Sequence, residues 1–113
     1  MIHTHFFQKN GTVCMEMQGH AMTAPKGADL VCAAATTVAY TLAQAVQFLY
    51  EQGLLEEKPK IQIADGYALV SAIPKAEAWA ETLMAFWVSQ AGAYVLEHNY
   101  PQAVCLMPME VSA

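Results

Sequence analysis

The chain has 113 residues, 56% of them hydrophobic and only 13% charged, with a formal net charge of −5 at pH 7. A chain of that length builds one hydrophobic core and leaves no room for a separate regulatory or substrate domain. Five Lys and Arg against ten Asp and Glu exclude a protein that grips nucleic acid through its phosphates, which takes clustered basic residues, and so few charges leave apolar surface for a second copy to cover.

Residues 2–7 and 12–18 are extended by composition, and Asn10-Gly11 between them is a strong two-residue hairpin signal. Past the second strand come Gly19-His20-Ala21 and a short polar segment. Asp29 then stands as an N-cap before an alanine-rich apolar run, which predicts a helix over 29–52 closed by Gly53 at C′. At about 100° per residue, Val31, Ala35, Val38, Leu42, Ala45 and Leu49 share roughly 80° of arc, the predicted core-facing stripe, with Cys32 at its margin. Residues 61–64 and 67–73 flank a second hairpin signal, Asp65-Gly66. Pro74 opens a second helix over 74–98, predicted to bury Trp79, Leu83, Phe86, Trp87 and Tyr94. Its other side, Met84, Val88 and Val95, is a second apolar stripe suited to a dimer interface. Residues 102–107 supply a last strand. The order strand, strand, helix, strand, strand, helix, strand specifies a two-layer α+β domain with two helices on one face of a mainly antiparallel sheet.

Three cysteines without a CxxC pair, and no signal peptide ahead of them, predict a reducing cytoplasm. No membrane span is expected; residues 78–96 come nearest but are broken by Glu81, Gln90 and Gly92. His3 and His5 share a strand face, yet two ligands fall short of the four a structural site takes, so neither a metal nor a cofactor is expected. His98 complements the dipole of the second helix, and Cys14 and Cys105 are expected to be inert strand residues.

Cys32 is different. It falls in the first turn of the first helix, where free N–H groups and the helix dipole favour a thiolate, and His20 precedes it by twelve residues. A Cys/His pair is the minimum machinery of thiolate catalysis. On composition alone Val31-Cys32-Ala33-Ala34-Ala35 also describes a small buried hydrophobe. Asp29 has two readings. As a cap it accepts from the N–H of Val31 or Cys32 and opposes thiolate formation; turned toward His20 it orients the imidazole as a third catalytic residue.

Gly19-His20-Ala21, Gly27 seven residues after the histidine, and Asp29-Leu30-Val31-Cys32-Ala33-Ala34 together resemble the signature of the ribosomal-processing cysteine protease family Prp. The resemblance implies that residues 1–113 are one cysteine endopeptidase domain, with Cys32 as nucleophile and His20 as general base, and that Asp29 occupies an acidic position of the motif. It implies a cytoplasmic homodimer in ribosome biogenesis, whose substrate is the N-terminal extension of a bacterial large-subunit ribosomal protein. It also implies a mobile substrate-binding segment between histidine and cysteine, here Ala21 to Ala28, for which Gly19 and Gly27 are the candidate hinges. N–H groups at the helix start are the candidate oxyanion donors. Thr36 stands where the family usually has serine, and Pro25 where a glycine- or aromatic-rich loop is usual. The competing readings are a non-catalytic protein-binding module of ribosome assembly, whose mark would be a missing Cys or His, and a redox sensor pairing Cys32 with Cys14.

Overall fold

The computed structural model describes residues 1–25 and 27–110. Asn10 and Gly11 both take left-handed backbone (φ +51° and +80°), the geometry whose twist suits a two-residue hairpin. Strand β1 (Ile2–Lys9) therefore turns straight into β2 (Thr12–Gly19), with Lys9 opposite Thr12 and Ile2 opposite Gly19. Because the turn is this tight, pairing runs up to it and β1 outlasts its predicted end at residue 7, while β2 gains Gly19 at its far end through its pairing with Ile2. Strands β3 (Lys60–Ala64) and β4 (Tyr67–Ala72) form the second hairpin, and β4 pairs antiparallel with β2. Strand β5 (Val104–Met107) lies parallel to β1 at the far edge, giving the order β3-β4-β2-β1-β5. One parallel pair in four leaves the sheet mainly antiparallel, as the sequence predicts. Strand alternation sends Ile2, Thr4, Phe6, Val13, Met15 and Met17 into the core under the helices.

Helix α1 (Leu30–Glu51) is capped by Asp29, and Gly53 (φ +76°) follows its C-cap Gln52. Helix α2 (Trp79–Asn99) begins later than Pro74. Pro74 is drawn into a bridge with Leu55, Lys75 is extended (ψ 155°) and donates its N–H to the Leu54 carbonyl, and a short 3-10 turn, Ala76–Ala78, intervenes. Strand β5 likewise starts at Val104 rather than 102, because the N–H groups of Ala103 and Val104 both return to the Tyr100 carbonyl in a turn.

The helix faces differ from their predicted stripes. Buried on α1 are Val31, Ala35, Ala39, Leu42, Ala43 and Val46, with Val38, Ala45 and Leu49 only half-buried; the buried arc is turned by roughly 60° from the predicted one. Small residues decide this: Ala39 and Ala43 let the helix lie close to the sheet, while Val38 sits against Gly92 of α2, where an added Cβ would meet its methyl at 3.2 Å. On α2 the buried residues are Thr82, Phe86, Ser89 and Ala93. Trp87 and Tyr94, predicted buried, are exposed, while Trp79 and Leu83 pack half-buried on the core. Helix α2 is apolar all round, so periodicity cannot choose its inner side; the small residues that permit close approach do. Met84, Val88 and Val95 lie outside, 54%, 61% and 55% exposed. By length and composition the helix closest to a membrane span is α1 (mean hydropathy 1.3), not segment 78–96. Its buried stripe packs in the core with the sheet, and core helices of this kind pass the same test.

The packing ranks the aromatic residues of α2. Phe86→Ala, which empties a fully buried site, should cost about 3–5 kcal/mol, and Trp87→Ala at most about a third of that, both read from urea denaturation midpoints; equal losses would contradict the assigned faces.

Candidate active site

Strand β2 ends on Gly19, whose φ of +102° and close backing by Met1 admit no side chain: a Cβ there would overlap the Met1 carbonyl oxygen. Its N–H donates to the Gly66 carbonyl at 2.9 Å, which ties the end of β2 to the β3–β4 turn. His20, the next residue, is exposed and lays its ring over Gly66, where a Cβ would come within 2.7 Å of Nε2. The hairpin turn is thus the floor of the imidazole.

Helix α1 brings Cys32 to the same place. His20 and Cys32 line one cavity of about 370 Å³, together with Thr36, Tyr40, Ile63 and Gly66. Cys32 is half-buried and packs on the core, nearer the buried arc than its predicted margin because α1 is rotated. The Ala21 N–H points at its sulfur, 3.3 Å from Sγ. Thr36 donates its hydroxyl to the Cys32 carbonyl at 2.8 Å, so it serves the helix backbone.

Asp29 is the densest polar node. Oδ1 accepts from the Thr23 hydroxyl (2.6 Å) and from the N–H groups of Val31 and Cys32 (both 3.0 Å). Oδ2 accepts from the N–H groups of Thr23 (2.8 Å) and Ala24 (3.2 Å). These donors, the Thr23 hydroxyl foremost and then the Cys32 N–H, hold the carboxyl well below the usual carboxylate range. The cap therefore takes both N–H groups between which the sequence left a choice, and it also fastens the loop. The Ala33 N–H bonds the Asp29 carbonyl at 3.1 Å. Of the N–H groups at the helix start, which the sequence offered as oxyanion donors, those of Val31, Cys32 and Ala33 are engaged within the cap and first turn.

Along the loop, Ala21 is buried, Met22 is left-handed (φ +61°) and 80% exposed, and Gly27 has φ +89°. Cys14 lies on the opposite face of the sheet from Val13 and Met15, paired between Phe7 and Ser71. Burial, followed by the Glu16 charge, pushes its thiol pKa up. The sheet stands between it and Cys32, which removes the sensor pairing. The His5 ring lies tilted against Phe7 (ring centroids 4.6 Å apart), and His98 stacks near Tyr94 (6.2 Å). Among the described residues no three His, Cys, Asp or Glu side chains cluster as metal ligands.

Sequence reasoning found Cys32, His20 and Asp29 but missed Thr23, Tyr40, Ile63 and Gly66. Asp65-Gly66 carried only a turn signal; its place beside His20 follows from the pairing of β4 with β2, which no local pattern encodes. Thr23 has no periodic context at all.

The sequence matches the family model of the cysteine protease Prp over residues 1–105. Among solved structures, the chain is similar to the essential ribosomal processing protease Prp from S. aureus with a covalently linked product peptide: 24% identity, 97% of this chain and 100% of that chain covered, TM-score 0.73. The S. aureus protease with a substrate peptide gives 23% identity, coverage of 97% and 100%, and a TM-score of 0.67. A Streptococcus mutans protein gives 23%, coverage of 97% and 96%, and 0.68. At these identities the likeness establishes the shared fold. No curated protein matches the sequence significantly.

The five bonds on Asp29 decide what asparagine does there. One amide oxygen can replace Oδ1, but the amide NH2 then faces the N–H groups of Thr23 and Ala24 and leaves them unpaired. Asp29→Asn should lower Tm at neutral pH. A folded-state pKa held below the unfolded one gives stability that is present above the ordinary carboxylate range and lost as pH falls through it toward the folded value, so the gap between wild type and variant should narrow below about pH 4. Equal Tm values at neutral pH would contradict the double role.

Proposed function

The chain belongs to the cysteine protease Prp family, and on that premise we propose that it is an endopeptidase, with Cys32 as nucleophile and His20 as general base, that removes the N-terminal extension of a bacterial large-subunit ribosomal protein. What carries the reading is the cavity itself: two residues from different elements, the two that the reaction needs, line one opening with an N–H directed at the sulfur. His20 takes the thiol proton. The thiolate forms a C–S bond to the scissile carbonyl carbon while the carbonyl electron pair moves onto oxygen; collapse breaks the C–N bond, and the imidazolium returns its proton to the leaving amine. Water activated by His20 then attacks the thioester, breaks the C–S bond and restores the thiol. No metal or cofactor enters any step.

The S. aureus structures, one with a substrate peptide and one with a covalently linked product peptide, support a peptide substrate. In this reading Ala21 to Ala28 is the substrate-binding segment, Gly19 and Gly27 are its hinges, and Asp29 is its anchor and the helix cap rather than a third catalytic residue. The whole chain acts as one protease domain in the cytoplasm, where a free thiol stays reduced. The exposed stripe of Met84, Val88 and Val95 on α2 supports a homodimer, since apolar area of that kind is normally covered.

Intact-mass spectrometry of a ribosomal protein still carrying its extension tests the reaction. Wild type should release the extension, Cys32→Ala should release none, and His20→Ala should slow release by about a hundredfold or more; Cys14→Ala and Cys105→Ala should cleave normally. Product from Cys32→Ala at the wild-type rate would overturn the mechanism. Separately, Val88→Glu should convert a sedimenting dimer to monomer, and a wild-type monomer at micromolar concentration would refute the dimer.

A further inference from the structure

We propose that the oxyanion is held by the backbone N–H of Ala21, supplied by the loop and not by the helix, and that Thr23 is the residue that positions it. The assignment rests on the acyl-transfer reading above and extends it to the group that receives the negative charge.

Three N–H groups at the helix start are already committed. The N–H groups of Val31 and Cys32 bond the Asp29 carboxylate and that of Ala33 bonds the Asp29 carbonyl, so turning any of them to an oxyanion would break the cap or the first bond of the helix. The Ala21 N–H, in contrast, spends its hydrogen on the sulfur, 3.3 Å away. When the thiolate attacks, its charge passes to a carbonyl oxygen only two bonds from that sulfur. A donor that solvates the thiolate beforehand is then placed to solvate the oxyanion afterwards, and a bond that strengthens as charge moves is what lowers a barrier.

On its inner side Ala21 is seated by its own side chain, which is buried in the core. Its neighbour Met22 is left-handed and 80% exposed, so the loop beyond Ala21 needs a second restraint. That restraint comes one residue later. Thr23 gives Asp29 both its N–H and its hydroxyl, Ala24 adds a further N–H, and Asp29 is itself locked to the first turn of α1. A continuous rigid path therefore runs from the helix bearing Cys32, through Asp29 and Thr23, back to the N–H over the sulfur.

Two small reagents separate this role from any effect on the thiol. p-Nitrophenyl acetate acylates Cys32: a C–S bond forms, the carbonyl oxygen becomes an oxyanion, and p-nitrophenolate leaves. Iodoacetamide alkylates it: the sulfur displaces iodide at a saturated carbon, and no oxyanion forms. With both rates taken on their high-pH plateaus, thiol acidity drops out. Thr23→Val, which keeps the shape and removes the hydroxyl, should slow acylation about tenfold or more while alkylation stays within about twofold, and Thr23→Ser should restore acylation. Acylation unchanged in Thr23→Val, or both reactions falling together, overturns the assignment. Neither reagent contains a peptide, so a wild-type protein that shows the expected acylation pattern but leaves the ribosomal protein uncut defeats the protease reading alone.

Discussion

One carboxylate fastens the loop to the helix. Each oxygen of Asp29 serves a different master: Oδ1 satisfies the first turn of α1 and the Thr23 hydroxyl, Oδ2 the backbone of the loop. Without a charged acceptor of that capacity, the N–H groups of Thr23 and Ala24 would turn to water and the loop would lose its seat above Cys32. An ordinary N-cap ends a helix neatly and does no more. This one also sets the distance between a backbone donor and the sulfur, so helix stability and site geometry draw on the same few bonds.

The sheet then sorts the chemistry. Cys32 sits on the helix side beside the loop, whereas Cys14 and Cys105 occupy strand positions whose side chains alternate to the other face. A buried thiol whose pKa is pushed up is a poor nucleophile. Placement alone thereby separates three chemically identical groups: Cys32 faces the cavity, and the other two lie across the sheet from it.

How much of this the sequence carried depended on whether the signal was local. Both hairpins were written in two-residue turns, the first helix in Asp29 and Gly53, and the two residues that share the cavity in the His20 and Cys32 motif. Failures arose where a choice was made by packing: α2 is apolar on every side, so Trp87 and Tyr94 could not be told from core residues, and α1 turned until Ala39 and Ala43 met the sheet. The site was half legible for the same reason. Its cysteine and cap are sequence neighbours, but the floor under His20 comes from strand pairing some forty-six residues away in the chain, and the Thr23 hydroxyl is aimed by a loop without periodic pattern.

The β3–β4 turn shows how such a contact limits what mutation can explore. Hairpin turns ordinarily drift among Asn-Gly, Gly-Asn, Asp-Gly and similar pairs, since any residue tolerant of left-handed backbone will serve. At Asn10-Gly11 that freedom holds, with open space around Gly11. At Asp65-Gly66 glycine is tied to the second place twice over, by its φ of +73° and by the imidazole resting on it. Two turns that look interchangeable on paper are therefore constrained to different degrees: the first asks only for left-handed backbone, and the second is held also by a histidine it never meets in sequence.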